Sequence, residues 1–339
     1  MVEPILQLKN LSVSFDTKNG EVEAVRDVSL TLKKGEILAI VGESGCGKTV
    51  MSQAVLKLLP KTSRIKQGQI IVDGEDITDY KEKEMRKLRG GVMSMVFQDP
   101  MTTLNPTIPI GKQITEAIVK HNKVSKDEAK KRGIEMLNLV GINREEEMFS
   151  LQPHFFSGGM RQRCVLAIAL ASNPQILFAD EATTALDVTV QAKILDLLLD
   201  IRNKTGISIV FISHDLGVVA RIADRVAVMY AGKIVEIGTA EDIFYNPRHP
   251  YVWGLMSALP ALTKAGESLA TIPGTPPIML NPPPGDAFAI RNRYALAIDY
   301  EEMPPMYEVS PTHYAATWLM DEKAPKIKPP ISLKRMEKE

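Results

Sequence analysis

The sequence contains little cysteine and no long apolar run. Its only cysteines, Cys46 and Cys164, have a spacing that matches neither a disulfide framework nor a metal site. We therefore expect both to be small buried side chains in a reducing compartment. No stretch approaches the roughly 20 apolar residues that span a bilayer. The first residues, MVEPILQLKN, also lack the basic and apolar segments of a secretory signal, which predicts a cytoplasmic protein.

An excess of charge of either sign is also absent. Lys+Arg and Asp+Glu both number 41, which gives a formal net charge of +0. No overall field therefore draws the chain to nucleic acid or to an anionic membrane surface. Apolar residues make up 45% and charged residues 24% of the 339 residues, as in a globular protein with one large domain or two ordinary ones.

Residues 42–49 read GESGCGKT, which is the spacing G-x-x-x-x-G-K-[ST] of a phosphate-binding loop. The glycines let backbone N–H groups converge on phosphates, Lys48 adds a positive charge, and the Thr49 hydroxyl can ligate Mg²⁺. An apolar run at 37–41 and helical periodicity at 48–59 favour a strand, loop and helix over an ordinary glycine-rich turn. The predicted nucleotide contacts in this segment are Gly42, Glu43, Ser44, Gly45, Cys46, Gly47, Lys48, Thr49 and Val50.

A second pattern, ILFADE at residues 176–181, is an apolar run that ends in two carboxylates. An aspartate at a strand end beside a phosphate loop can hold Mg²⁺ through its water shell, which is the role expected of Asp180. Glu181 can polarise a water molecule for attack on the γ-phosphate. The alternative is a strand that ends in a solvated acidic turn, and the upstream phosphate loop favours the metal and base.

The third pattern is FSGGM at residues 156–160. A serine followed by two glycines at a helix start offers a hydroxyl and backbone N–H groups to an anion. Ser157 would also serve as a simple N-cap of any helix, so this pattern alone leaves both interpretations open.

Strands and helices alternate over most of the chain, which predicts a mainly parallel α/β sheet with an antiparallel β part and a helical insertion. An antiparallel hairpin is predicted at 5–15 and 21–32, and a helical segment at 111–140 with a helix start at Ser125. Further helices are predicted at 158–171 and 188–204, another short hairpin at 68–78, and further strands at 91–98, 175–179, 206–212, 225–230 and 233–237.

Composition changes near residue 247, since 15 of the 22 prolines fall within 247–339. Proline at this density disfavours long helices and central strands, so we predict an irregular, extended appendage with one helix near 250–259. The alternative is a disordered tail, which the many aromatic residues of the segment disfavour.

Taken in order, the motifs resemble those of the ATP-binding-cassette (ABC) ATPases over residues 1–245. The motifs are the phosphate loop, Gln98 after VMSMVF, FSGGM, ADE at 179–181, TALD at 184–187 and His214. The resemblance implies an ABC ATPase domain at 1–246, in which a P-loop NTPase core sheet carries an antiparallel β subdomain and a helical subdomain at about 99–172.

The resemblance also implies a head-to-tail dimer that holds ATP between one subunit's phosphate loop and the Ser157, Gly158 and Gly159 of the other. It implies that Lys48, Glu181 and His214 are catalytic, with His214 on the γ-phosphate, and that Thr49, Gln98 and Asp180 hold Mg²⁺. Gln98 would also sense the transmembrane partner, and Asp187 would couple the two sites. Phe15 matches the aromatic residue that stacks on adenine, although a core aromatic in a hairpin remains an alternative.

A closer resemblance, to the ATP-binding subunits of oligopeptide/dipeptide permeases, runs nearly end to end and includes 247–339. Its motifs are MVFQDPMTTLNP (95–106), PHFFSGGMRQR (153–163), TTALDVTVQAKIL (183–195), YNPRHPY (245–251) and IPGTPP (272–277). It implies an importer motor on the cytoplasmic face of the membrane. Its partners would be a second homologous ATPase subunit in a heterodimer, with a homodimer as the alternative, two transmembrane permease subunits and, indirectly, an extracytoplasmic solute-binding protein. No nucleic acid is expected as a partner.

Two departures from that family stand out. Many members carry four cysteines in the appendage that bind an iron–sulfur cluster, whereas the matching positions here are Asp286, Asn292, Asp299 and Thr317. Such a cluster needs thiolates, so we expect none. Ala182 stands where the family has proline, which could loosen the turn that positions Glu181.

Three other functions compete with a peptide importer. An importer of the same type for nickel, a glycoside or another small solute remains open, because cargo is selected by other subunits. A soluble ABC ATPase acting on ribosomes or DNA is disfavoured by the single phosphate loop and the lack of a heptad run or basic patch. A non-catalytic partner is disfavoured by intact Lys48, Asp180, Glu181 and His214.

Overall fold

A computed structural model describes residues 3–183, 187–259 and 271–330 of the chain. Contacts among them form two compact units, each assembled from several stretches of sequence. The first unit contains 3–5, 32–37, 73–183 and 187–212, and the second contains 6–31, 38–72, 213–259 and 271–330. Residues 184–186 of the TALD motif lie outside the described residues. The predicted domain boundary at residue 246 stays a prediction.

The first unit contains three parallel strands: β6 (Met93–Val96), β7 (Ile176–Asp180) and β8 (Ser208–Ser213). Every residue of β7 and β8 is buried, as expected for parallel strands covered on both faces. This is why their sequences are continuous apolar runs rather than alternating patterns. Because Asp180 pairs with Ile212 in the register, the carboxyl end of β7 presents Asp180 and then Glu181.

The remaining elements of this unit are mostly helices. They are the short strand β5 (Glu75–Asp76), α2 (Glu82–Leu88), α3 (Pro100–Thr103), α4 (Ile110–Asn122), α5 (Lys126–Leu139), α6 (Glu145–Phe149), a 3₁₀ turn at Pro153–Phe155, α7 (Gly158–Leu170) and α8 (Val188–Thr205). The Ser125 hydroxyl accepts a hydrogen bond from the Glu128 N–H, which confirms the predicted helix start. Two glycines make room for Phe149: a Cβ on Gly111 or Gly133 would lie 2.2 Å or 2.8 Å from its ring.

The second unit contains an antiparallel sheet in the order β2-β1-β4, formed by β1 (Pro4–Thr17), β2 (Gly20–Lys33) and β4 (Ser63–Val72). β1 pairs with β4 from Leu6 opposite Val72 to Phe15 opposite Ser63. The strands at 5–15 and 21–32 are therefore confirmed, and each extends by a residue or two beyond its predicted ends.

The same unit contains five further strands of mixed pairing, in which β3 (Ile37–Val41) runs parallel to β9 (Arg225–Tyr230). Antiparallel pairing then continues through β10 (Lys233–Thr239), β12 (His313–Ala315) and β11 (Tyr307–Ser310). The helices are α1 (Lys48–Val55), α9 (Leu216–Ile222), α10 (Ala240–Tyr245) and α11 (Pro250–Ser257), with 3₁₀ turns at Ala289–Arg291, Ala297–Tyr300 and Trp318–Met320.

The appendage after residue 247 is more ordered than its proline content predicts. The expected helix is present as α11, but β11 and β12 were not predicted. β12 pairs with β10, so the edge of an existing sheet supplies the hydrogen bonds that such short segments cannot make alone. The prediction of an irregular segment was therefore wrong at these two strands.

An aromatic cluster and buried hydrogen bonds pack the appendage against the rest of the second unit. The rings of Tyr230, Tyr251 and Phe288 lie with centroids 4.7–5.3 Å apart. The buried Glu236 of β10 accepts hydrogen bonds from the Arg248 and His249 N–H groups and lies 2.7 Å from His313 Nε2. Such partners offset the cost of burying a carboxyl group, whose pKa burial raises here.

Both cysteines are buried, as predicted. Burial raises the pKa of Cys46, and it raises the pKa of Cys164 to about 12, so neither thiol has thiolate character at neutral pH. Among the described residues, every helix is too short or too polar to cross a bilayer.

Candidate functional site

The phosphate loop lies between buried β3 and the start of α1, and its backbone needs glycine. Gly45 and Gly47 have φ angles of +79° and +106°, a region that side chains disfavour. A Cβ on Gly47 would lie 2.3 Å from the Ala24 carbonyl oxygen, and one on Gly42 would lie 2.1 Å from that of Met229. A Cβ on Gly45 would meet nothing within 4 Å, so this side of the loop is open to a ligand.

The donors of the loop suit a polyphosphate. Lys48 is buried, and its Nζ donates to the carbonyl oxygens of Gly42, at 2.7 Å, and of Glu43, at 2.9 Å. α1 begins at Lys48 after Gly47, which has no side chain to cap the first N–H groups of the helix. An uncapped helix N-terminus with a lysine beside it is a favourable site for an anion.

The helix α1 ends at Val55, so the prediction that it continues to residue 59 was wrong. Just beyond its end, Lys57 has a φ of +49°, which is not a helical backbone conformation.

Two residues of the appendage that sequence reasoning did not include contact the phosphate loop. The Glu43 N–H donates to the Tyr251 hydroxyl at 2.9 Å, and the Glu43 carboxylate accepts two hydrogen bonds from Arg291 at 2.6 Å and 2.9 Å. Arg291 lies 248 positions from Glu43 along the chain. A local sequence pattern cannot predict a contact between residues so far apart in the chain. The sequence indicates the two appendage residues only through the resemblance of their segment to the permease subunits.

Phe15 and His214 also belong to the second unit. Phe15 lies in β1 and is half-buried, which leaves both the adenine-stacking and the core interpretation possible. His214 is exposed and lies between β8 and α9, immediately before Asp215, whose carboxylate accepts from the Gly217 N–H and caps α9. The strand end and the cap fix the backbone on both sides of His214.

In the first unit, the structure brings Gln98 and Glu181 together. The Gln98 Nε2 donates to the Glu181 Oε2 at 2.8 Å. Glu181 has a φ of +47°, which costs a residue with a side chain about 1 kcal/mol, and its N–H donates to the Ile212 carbonyl oxygen at 3.0 Å. Asp180 is buried at the end of β7, and Ala182 is buried as well. The turn after the strand is therefore held by β8 although Ala182 replaces proline.

Ser157 and Asp187 each cap a helix. The Ser157 hydroxyl accepts from the Met160 N–H at 3.4 Å, and the Asp187 carboxylate accepts from the Val190 N–H at 2.9 Å. The two helix starts are in close contact, since a Cβ on Gly159 would lie 2.6 Å from Val190 Cγ1. A Cβ on Gly158 would meet nothing within 4 Å, so another molecule can approach the backbone there. A capping hydroxyl keeps its own hydrogen to donate, and both interpretations of Ser157 remain compatible with this geometry.

The four positions that match the family's cysteines share one local arrangement. Each side chain accepts a hydrogen bond from a backbone N–H two or three residues away, at 2.6–3.3 Å: Asp286 from Phe288, Asn292 from Tyr294, Asp299 from Leu296 and Thr317 from Leu319. Burial raises the pKa of Asp286 to about 6. Oxygen acceptors at these positions satisfy the turns locally.

Family models match two stretches of the chain. One is described as ABC transporter and matches residues 25–184, and the other is described as oligopeptide/dipeptide transporter, C-terminal region, and matches residues 235–298. The chain is 57% identical over 335 residues to the oligopeptide transport ATP-binding protein OppD of Bacillus subtilis (strain 168), covering 98% of this chain and 94% of that protein. It is 56% identical over 328 residues to the dipeptide transport ATP-binding protein DppD of Lactococcus lactis subsp. cremoris (strain MG1363), covering 96% and 94%.

Solved structures of ATP-binding cassettes resemble this chain as well. The cassette MJ0796, in a dimeric post-hydrolysis state bound to ADP and Pi, superimposes with a TM-score of 0.62 at 27% identity and covers 69% of this chain and 98% of that one. CbiO1 of Clostridium perfringens, part of the ABC transporter complex CbiONQ, gives a TM-score of 0.63 at 29% identity, with 71% and 91% coverage.

The contrast between Gly45 and Gly47 gives a test of the loop geometry. Gly45→Ala should lower the free energy of unfolding by about 1–2 kcal/mol, the cost of a left-handed backbone alone. Gly47→Ala should cost about 3 kcal/mol or more, because its Cβ would also overlap the Ala24 carbonyl oxygen. Urea unfolding of the two variants measures the difference. Equal losses of stability would show that Gly47 is not under this steric constraint.

Proposed function

Because this chain belongs to the ATP-binding subunits of oligopeptide/dipeptide ABC transporters, we propose that it binds and hydrolyses ATP to power the import of oligopeptides or dipeptides. The observation that carries this proposal is the similarity over the whole chain to subunits named for peptide transport, including the C-terminal region that a peptide-transporter family model matches. ATP is the substrate, and its hydrolysis is coupled to transport.

The phosphate loop supports the binding of the triphosphate. Backbone N–H groups of the loop and of the start of α1 bind the phosphates, and Lys48 moves its charge from two loop carbonyl oxygens to phosphate oxygens. Mg²⁺ neutralises phosphate charge when it is bound, and oxygen ligands suit it: the Thr49 hydroxyl, the Gln98 amide oxygen and, through water, Asp180. Phe15 stacks on the adenine, and His214 donates to the γ-phosphate.

Glu181 is the general base, which takes a proton from the attacking water. Its hydrogen bond from the Gln98 amide orients the carboxylate and joins it to the segment 99–109, which follows Gln98 directly. We propose this segment as the docking surface for the transmembrane subunits. Movement of Gln98 at that surface would then change the position of the base, which couples hydrolysis to the membrane partner.

The same family membership supports the partner subunits that we propose. Two permease subunits hold this chain at the cytoplasmic face of the membrane, and a second, homologous ATPase subunit completes the nucleotide sites. The open approach to Gly158 supports its place, with Ser157 and Gly159, on the nucleotide of that second subunit. Asp187 couples the two sites, since the helix that it caps touches Gly159 through Val190. An extracytoplasmic solute-binding protein delivers the peptide to the permease.

Glu181→Gln tests the assignment of the base. We expect this variant to bind ATP and to lose ATP turnover by at least about a hundredfold, because the amide cannot accept the proton of the attacking water. Bound ATP should then trap a closed dimer, which gel filtration with ATP and Mg²⁺ would show.

Glu116→Gln is the matched control, since Glu116 is an exposed residue of α4 in the same unit. Its turnover should equal that of the unchanged protein. Wild-type turnover in Glu181→Gln would contradict the role of Glu181.

We also propose that the appendage binds no iron–sulfur cluster. Cluster iron takes thiolate ligands, and the two cysteines of the chain lie outside the appendage. Each of the four matching side chains already accepts a backbone hydrogen bond that satisfies its own turn. Elemental analysis of anaerobically purified protein should therefore find iron well below one atom per chain, whereas about four iron atoms per chain would contradict the proposal.

A further inference from the structure

The phosphate loop contains a carboxylate that opposes its ligand. Glu43 is the second residue of the loop, and its negative charge lies on the segment that binds the negative phosphates. Like charges in one site raise each other's energy unless a positive group compensates them. The compensating group in this chain is Arg291 of the appendage, whose guanidinium contacts both carboxylate oxygens of Glu43, at 2.6 Å and 2.9 Å.

Each of the three nitrogen atoms of the Arg291 guanidinium donates a hydrogen bond within the protein, which fixes the position of the side chain. Its Nε donates to the Pro273 carbonyl oxygen at 2.8 Å, Nη1 also donates to the Tyr230 hydroxyl, and Nη2 also lies 3.3 Å from the Gly274 carbonyl oxygen. Its side chain is 3% exposed, against 27% for the Glu43 side chain. Hydrogen bonding to Glu43 raises the pKa of Arg291 further above its ordinary value, so the charge is permanent.

The backbone of Glu43 is held as well as its side chain. Its N–H donates to the hydroxyl of Tyr251, and its carbonyl oxygen accepts from Lys48 Nζ. The appendage therefore contacts the loop through Tyr251 at the backbone and through Arg291 at the carboxylate. A two-point arginine–carboxylate pair whose arginine is buried is more directional than a surface ion pair. The Glu43 side chain accordingly has one defined position, turned to the appendage.

We propose that Arg291 is a positioning residue for nucleotide binding, which acts through Glu43 by neutralising its carboxylate and turning it from the phosphates. The proline-rich appendage thereby sets the affinity of the phosphate loop for ATP. The inference rests on the proposed function, because it assumes that ATP binds at this loop.

The test is a double-mutant cycle on Glu43 and Arg291 in the full-length chain, with the Kd for ATP·Mg²⁺ measured by titration calorimetry. Arg291→Gln leaves the carboxylate uncompensated, and we expect ATP to bind about tenfold more weakly, which corresponds to about 1.4 kcal/mol. In a Glu43→Gln background there is no carboxylate to compensate, and the same change should alter Kd by less than about threefold.

A purely structural role of Arg291 predicts a different result. If Arg291 only stabilises the appendage, Arg291→Gln should weaken ATP binding by the same factor in both backgrounds, and that outcome would overturn the proposal. Unchanged affinity in Arg291→Gln alone would overturn it too. Should Arg291→Gln fail to fold, Arg291→Met, which also removes the charge, replaces it in the same cycle: a loss confined to the background that keeps Glu43 supports the proposal, and equal factors overturn it.

Two further variants complete the design. Arg293→Gln removes the same charge from an exposed position two residues along the chain and should leave Kd unchanged. A loss as large as that of Arg291→Gln would show that the effect is one of general charge, against the proposal. Lys48→Ala tests separately whether ATP binds at the loop at all. If this variant and the unchanged protein bind ATP equally weakly, ATP binding at the loop itself is contradicted.

Discussion

The backbone of the phosphate loop must keep several N–H groups pointed at one anion, although nothing in a flexible glycine-rich segment would keep them there alone. Close contacts supply the constraint: the carbonyl oxygens of Ala24 and Met229 leave no room for a Cβ at Gly47 and Gly42. The loop is therefore shaped by strands on either side of it rather than by its own side chains. Glycine is required here by packing as much as by its φ angles.

A similar constraint acts in the first unit, where Glu181 sits in a left-handed backbone conformation at the end of a buried strand. Its N–H donates a hydrogen bond to β8, and its carboxylate accepts one from Gln98. These two contacts stabilise the strained backbone conformation. Strained backbone of this kind concentrates at functional sites. In each unit, therefore, a residue proposed to act on the nucleotide has a backbone conformation that neighbouring elements enforce.

The sequence predicts well those features that a short window contains. The buried strands β3, β7 and β8 are continuous apolar runs, and the helix start at Ser125 follows from the four residues around it. The strands β11 and β12 escape prediction because three or four residues become a strand only by pairing with β10, far away in the chain. Local propensity does not contain that information.

In the candidate site, too, the sequence predicts the residues of local motifs but not the contacts between distant residues. The spacing of the motifs predicts Lys48, Asp180, Glu181 and Ser157 as site residues, but it does not predict their hydrogen bonds. The pairing of Glu43 with Arg291 spans 248 positions, and the appendage has no periodicity that would indicate it. Long-range polar contacts are fixed by the tertiary fold, so they have to be observed. The proline-rich segment consequently gains a link to the nucleotide loop that its composition does not suggest.

Transport itself is the most direct measurement of what this chain does. This subunit would be reconstituted in liposomes with the partners proposed for it, which are a second ATPase subunit, two permease subunits and a solute-binding protein. Radiolabelled peptides of two to six residues would then be supplied. We expect ATP-dependent accumulation of peptide that Lys48→Ala in this subunit abolishes. Accumulation of nickel or a glycoside, with no accumulation of any peptide, would contradict a peptide importer.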